Sequence, residues 1–191
     1  MKKIIFIGAG NVATCLAVSL EQNNYKILQI FSRSLSNAKL LADKVKAEAI
    51  DDLSKIKTAD IIIISIKDDF IKGILKSYHF DNIVHTSGSM DINIFDLKVK
   101  NFGVLYPIQT FNKEISIDLS ETPFLIECNN TSFEKSIREL AQSISSNVFK
   151  IKYDDRKKIH LAAVFACNFS NRMIGISKEI MENNNLDFSL I

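Results

Sequence analysis

Short runs of Ile, Val, Leu and Phe recur along the chain, and the segments between them carry apolar residues at helical spacing. Lys3 to Gly8 predicts a buried strand, and Asn11 to Gln22 predicts the helix that follows it. Lys26 to Phe31 predicts the second strand, with its helix over Ser36 to Lys44 and Leu40 and Leu41 on the buried side. A short third strand falls near Glu48 to Ile50. Asp60 to Ser65 encloses four consecutive isoleucines, a pattern that suits a sheet covered on both faces. A helix over Asp69 to Ser77, a strand over Asn82 to Thr86 and a last strand over Phe102 to Tyr106 complete the alternation. Strands alternating with helices predict an α/β fold, a right-handed, doubly wound parallel sheet over residues 1–106.

After Tyr106 the pattern changes. Pro107 to Ser120 carries few periodic signals and reads as a connector. Pro123 to Glu127 and Asn147 to Tyr153 predict two strands flanking a helix over Thr131 to Ile144, so residues 107–153 form a connector with additional α/β elements. Asp154 to Glu182 reads as one long helical segment without proline, interrupted only by Gly175. Residues 154–191 are therefore expected to begin a mainly helical domain, with Asn183 to Asn185 as a loop. The chain stops on apolar residues, Phe188 to Ile191, an ending that fits a helical part cut short or completed by another subunit. Apolar surface left bare there favours association, so a homodimer through the C-terminal helices is expected.

Composition adds exclusions. The chain of 191 residues is 47% apolar, enough to bury a core, and its net charge is +2. Lys and Arg are interspersed with Asp and Glu, which gives no support to a nucleic-acid partner. The one dense basic cluster, Arg156-Lys157-Lys158, directly follows Asp154-Asp155 and reads as the solvated first turn of a helix. Cys15, Cys128 and Cys167 lie far apart in apolar contexts without metal-ligand spacing, so buried, reduced thiols and no metal site are expected. The apolar run after Met1-Lys2-Lys3 is too short for a signal peptide, and no run reaches the length of a membrane span. A soluble, cytoplasmic protein is the expectation.

Gly8-Ala9-Gly10-Asn11-Val12-Ala13 fits G-x-G-x-x-A where the first strand gives way to a helix. Gly8 suits the tight turn, Gly10 lets backbone approach a pyrophosphate, and Ala13 allows close helix–strand packing. Free N–H groups at the helix start then hold the anion. In this position the motif identifies a Rossmann-type dinucleotide site. NAD-specific sites commonly carry Asp or Glu at the end of the second strand. Here that position reads Phe31-Ser32-Arg33-Ser34, a guanidinium flanked by two hydroxyls, which suits the 2′-phosphate of NADP(H). Ser34 also suits the cap of the next helix. Ser65, Ile66 and Lys67 leave the isoleucine strand at the ligand-binding edge. Ile66 suits packing on the ribose or nicotinamide, and Lys67 suits either a phosphate or substrate contact or an exposed helix start.

The pieces Ile7 to Ala13, Ser32 to Ser34, Ala59 to Asp69, His85 to Ser89, Gly103 to Phe111 and His160 to Asn168 carry a family resemblance. The chain resembles the bacterial Rossmann-like proteins with a C-terminal DUF2520 domain, related to the F420-dependent NADP oxidoreductases. Many members have His where Tyr106 stands, and members usually continue for several more helices. The N-terminal half also resembles pyrroline-5-carboxylate reductase, though Leu105 to Gln109 departs from that enzyme's R-x-M-P-N segment. The resemblance implies NADP binding and oxidoreductase activity, and it names no substrate.

Hydride transfer needs a proton donor or acceptor and polar groups that place the substrate. Thr86 and Ser87 follow the fifth strand and suit a carboxamide or a substrate carbonyl, with Gly88 permitting close approach. His85 fits either a core or a catalytic role. On the long helix, at about 100° per residue, His160 and Asn171 fall nearly in line, with Asn168 less than a quarter turn away. His160 with Asn168 resembles the helix that lines the substrate cleft in β-hydroxyacid dehydrogenases, and helix-to-helix hydrogen bonding in a dimer core is the other reading. His160 is the candidate general acid/base and Asn168 the candidate orienting group. Gln109, Thr110 and Asn171 are candidate substrate contacts, although for the connector a hinge packed through Pro107 and Phe111 is the favoured reading. The expected function is an NADP(H)-dependent oxidoreductase acting on a small carbonyl, hydroxyl or imine compound. A non-catalytic NADP(H)-sensing module is the competing class.

Overall fold

The computed structural model describes residues 1–95 and 99–191. Six strands, β1 (Lys3–Ile7), β2 (Lys26–Phe31), β3 (Glu48–Ile50), β4 (Ile61–Ile64), β5 (Ile83–His85) and β6 (Phe102–Pro107), pair in parallel. Two more, β7 (Phe124–Cys128) and β8 (Val148–Lys150), extend the same sheet, with β7 antiparallel to β6 and β8 parallel to β7. The order is β3-β2-β1-β4-β5-β6-β7-β8. The chain runs outward from β1 in one direction and then, from β4, in the other. The switch point therefore lies between β1 and β4, where ligands of such sheets bind.

Register explains why the site lies at one edge. Ile7 pairs with Phe31 and Ile64, and Ile64 pairs with His85. The next residues, Gly8, Ser32, Ser65 and Thr86, consequently leave the sheet in one row. Alternation within the strands builds two cores. Ile4, Phe6 and Ile63 face a cluster shared with α1 (Asn11–Gln22), α2 (Leu35–Val45) and α4 (Thr131–Gln142). Ile5, Ile7, Ile62 and Ile64 face the cluster that includes Ile71 of α3 (Asp68–Ser77).

Several sequence expectations change here. In α2 the buried positions are Ala38, Leu41, Ala42 and Val45, spaced three and four apart, and Leu40 lies one step off that stripe and is 63% exposed. The long C-terminal helix is not uniform. It comprises α5 (Tyr153–Ala163), a π-helical segment over Val164–Phe169 and α6 (Ser170–Asn183), followed by a 3-10 turn at Phe188–Leu190. Hydrogen bonds from i to i+5 add a residue to the turn, so the α-helical register that aligns His160 with Asn171 does not hold across it. Arg156 is not solvated but fully buried. Its partners, Glu127 and the Met90 carbonyl, come from distant segments, which the local charge run does not reveal. The cysteines are free thiols, but Cys167 is exposed and Cys15 and Cys128 are half-buried. Cys167 sits among Phe165 and Phe169, which are exposed as well, so its apolar neighbours do not make a core.

The C-terminal region is mainly helical and largely uncovered. No described residue of α6 is buried, and Leu161, Phe165, Phe169, Met173, Ile174 and Ile180 are exposed. Among the described residues no helix is long and apolar enough to cross a membrane.

Candidate functional site

At the switch point Gly8 adopts φ +127, and a Cβ there would stand 2.1 Å from the Ser65 carbonyl oxygen. No other residue type suits both the conformation and the contact. The Gly8 amide donates to Phe31 O at 2.8 Å, and the Ser65 amide donates to Ile7 O at 2.8 Å, so the turn is locked to both neighbouring strands. Gly10 is the N-cap of α1, no side chain caps it, and nothing lies within 4 Å of where its Cβ would be. The first-turn N–H groups therefore face open space, as an anion cradle requires.

This turn forms one wall of a cavity of about 1000 Å³, at the upper end of the range for small-molecule sites. Gly8, Ala9, Gly10, Asn11, Val12, Ser32, Arg33, Ser65, Ile66, Lys67, Thr86 and Ser87 all line it. Ser34 does not, because its hydroxyl caps α2, accepting from the Asn37 amide at 3.4 Å. The Arg33 guanidinium stands 4.2 Å from the centre of the Phe70 ring, so its plane is held at the cavity wall while its donors stay accessible. Lys67 is the exposed N-cap of α3 and also lines the cavity. The Asn11 side chain is engaged elsewhere. Its Nδ2 donates to Phe111 O at 2.9 Å, which ties the connector beside the glycine turn.

At the far end of the cavity, Thr86 Oγ1 donates to Ser65 Oγ at 3.1 Å and Ser87 Oγ donates to Asp68 Oδ2 at 2.8 Å. His85 lies behind this row and is buried, its ring stacked on Phe95 with centroids 5.7 Å apart. Burial first, and then the nearby Arg156 guanidinium, depress its pKa to about 3, so the ring is neutral. Its Nδ1 accepts from the Ser87 amide at 3.2 Å, which makes His85 a support for the loop rather than a group facing the cavity. The next residue, Gly88, is roofed by two side chains. A Cβ there would meet His160 Nδ1 at 2.6 Å and Tyr106 Cζ at 2.7 Å. Tyr106 Oη and His160 Nδ1 are hydrogen-bonded at 2.8 Å, and burial raises the Tyr106 pKa so that the phenol keeps its proton.

The structure thus gathers the cofactor candidates, except Ser34, around one cavity and sets His160 against its end. It leaves Asn168 and Asn171 exposed on the C-terminal arm, and Gln109 and Thr110 exposed on the connector, where Gln109 Oε1 accepts from the Thr110 amide. Sequence reasoning missed Asp68, Phe70 and the Tyr106–His160 pair. A carboxylate in the first turn of a helix at the ligand edge is a readable signal for Asp68. The other two depend on contacts between segments far apart in the chain.

A mostly parallel sheet, a glycine turn at its switch point and a cavity running along the strand ends define an NAD(P)-binding oxidoreductase fold. The comparisons with known proteins agree. The family profile described as domain of unknown function DUF2520 matches residues 122–191, and that of shikimate/quinate 5-dehydrogenase matches residues 1–100. A Bacteroides fragilis protein classed as a candidate NADP oxidoreductase is 37% identical, with a TM-score of 0.92, over 99% of this chain and 75% of that one. The chain belongs to this Rossmann-like NAD(P)-binding family with a DUF2520 domain. A Thermotoga maritima protein is 24% identical at a TM-score of 0.76, covering 96% of this chain and 72% of that one. The 1-pyrroline-5-carboxylate reductase of Streptococcus pyogenes shares the fold at 18% identity and a TM-score of 0.74, over 98% and 73%. No protein of curated function matches significantly.

Proposed function

We propose that the protein is an NADP(H)-dependent oxidoreductase that acts on a small carbonyl, hydroxyl or imine compound. The observation that carries this reading is the continuity of the cavity from Arg33, past the glycine turn, to Ser87, whose neighbour Gly88 packs under His160. The Gly8–Val12 backbone would hold the pyrophosphate, and Arg33 with Ser32 would hold the 2′-phosphate. Thr86 and Ser87 would orient the carboxamide end. NADP(H), when bound, gives or takes the hydride. His160 is the general acid/base in this reading, and Asn168, Asn171, Gln109 and Thr110 supply substrate contacts from the arm and the connector.

Titration of the purified protein with NADPH and NADH, beside an Arg33→Ala variant, tests the cofactor assignment. NADPH should bind more tightly, and the variant should lose about 10- to 100-fold for NADPH alone, as expected for charge-assisted bonds of about 1.5–3 kcal/mol. Equal binding of both nucleotides would overturn the 2′-phosphate assignment. If neither binds, the oxidoreductase reading itself falls.

A non-catalytic NADP(H)-sensing module is the second reading. It draws on one observation, that His160 borders Gly88 without itself lining the cavity. Turnover of any small carbonyl or imine with NADPH, lost in His160→Gln, would decide for the enzyme. We further propose that the exposed apolar face of the C-terminal arm pairs two copies into a homodimer, and that the protein works in the cytoplasm without a nucleic-acid partner.

A further inference from the structure

Residues 87–90, which follow β5, make contacts with both α3 and α5. On the cavity side, Ser87 Oγ and Ser89 Oγ both donate to Asp68 Oδ2 of α3, at 2.8 and 2.7 Å. Between and after these two serines, Gly88 lies under His160, and the Met90 carbonyl accepts from Arg156 Nη2 at 2.7 Å. Arg156 and His160 are one turn apart and share a face of α5. Arg156 is the buried residue of that helix, its Nη1 paired with Glu127 of β7 and its guanidinium 5.6 Å from the Tyr153 ring centre. Burying a guanidinium is costly unless it is paired, and here Nη1 and Nη2 are matched while Nε is buried without a partner, so the two terminal nitrogens are what tie the start of α5 to β7 and to Met90. Among the described residues the His160 side chain is held by one hydrogen bond, to Tyr106, a weak constraint for a ring that must fit over Gly88 without clearance.

We propose that Arg156 is a positioning residue for His160. Its guanidinium clamps the first turn of α5 to Glu127 and to the Met90 carbonyl, and one turn later the helix delivers His160 against Gly88, beside the cavity-lining Ser87. The proposal rests on reading His160 as the acid–base group. It gives a reason for a fully buried cation whose partners among the described residues, Glu127, Met90 and Tyr153, do not line the cavity.

The test uses ring-labelled histidines, of which the chain has three. His160→Gln assigns the His160 ring signals, and the exposed His79 supplies a solvent-like reference. Arg156→Met removes the clamp. Because Glu127 would then lose its partner, the same change is also made together with Glu127→Gln. Arg156→Lys retains a charge that reaches one of the two acceptors. In the Met variants the His160 signals should move to the position of those of His79. In Arg156→Lys they should move part of the way. NADPH affinity should stay within about twofold of wild type in all of them. His160 signals unmoved in whichever of these variants fold would overturn the proposal, since the arm would then dock without Arg156. Loss of NADPH binding by the wild-type protein would strike the nucleotide reading instead. Full turnover by His160→Gln would strike the acid–base role. In both cases the ring signals still report the clamp.

Discussion

Two glycines set the local geometry of the site for different reasons. Gly8 is required by its backbone, with φ +127 and the Ser65 carbonyl in the place of a side chain. Gly8→Ala should lose at least about 1–3 kcal/mol of stability to backbone strain alone, read as a lowered urea midpoint, and NADPH binding should be lost with it. Wild-type stability in that variant would refute the strained-turn account. Gly88 is required by its neighbours instead. Gly88→Ala should push His160 and Tyr106 off the loop, lowering turnover while leaving NADPH affinity within about twofold. If both parameters fall together, the loop belongs to the nucleotide site rather than to the placement of His160. Arg33 belongs to the same scale, since the proposed choice between the two nucleotides rests on this one guanidinium, held against Phe70.

Among the elements, β5 links the core to the site through His85. Its folded-state pKa of about 3 lies below the ordinary value of 6.5, so the unfolded chain binds the proton more tightly. The stability contributed by neutral His85 is present above about pH 6.5 and is lost as pH falls through the window down to about 3. The limiting slope for one such group is about 1.4 kcal/mol per pH unit. Urea unfolding at a series of pH values between 7 and 4 should show this decline, and His85→Asn should flatten it. An equal slope in the variant would place the titrating group elsewhere. The π-helical segment between α5 and α6 matters at this scale too. It takes Asn168 and Asn171 out of the register their spacing suggests, in the stretch of helix where substrate contacts are proposed.

For the whole molecule, the imbalance of burial decides behaviour. The sheet and its flanking helices hold two dense cores, whereas the arm exposes Leu161, Phe165, Phe169, Met173 and Ile174, with Phe165 and Phe169 stacked at 4.9 Å. Burying side chains of this size yields about 1.5–3 kcal/mol each, ample for association. Light scattering on the eluting protein should therefore report a dimer. Phe165→Asp with Phe169→Asp should give a monomer that still binds NADPH. A monomeric wild type would remove the proposed pairing.

Much of this was legible from the residues themselves. Four isoleucines specify a doubly covered strand, a glycine pair between strand and helix specifies the turn, and Arg33 in place of a carboxylate specifies the character of the β2 edge. These features depend on spacing along a few neighbouring residues, and local sterics and periodicity act at that range. The sequence by itself therefore determined the order of elements and pointed to the residues, Ser34 apart, that line the proposed cofactor cavity. Tertiary structure alone decided that Arg156 is buried while Leu40 and Cys167 are exposed, and that His85 serves the core. It also decided that Tyr106 meets His160 across 54 positions. The burial of Arg156 and the meeting of Tyr106 with His160 depend on how α5 docks on the far strands of the sheet. Docking is set by the sum of distant partners (Glu127, Met90, Gly88), none of which is visible from the helix that carries Arg156 and His160.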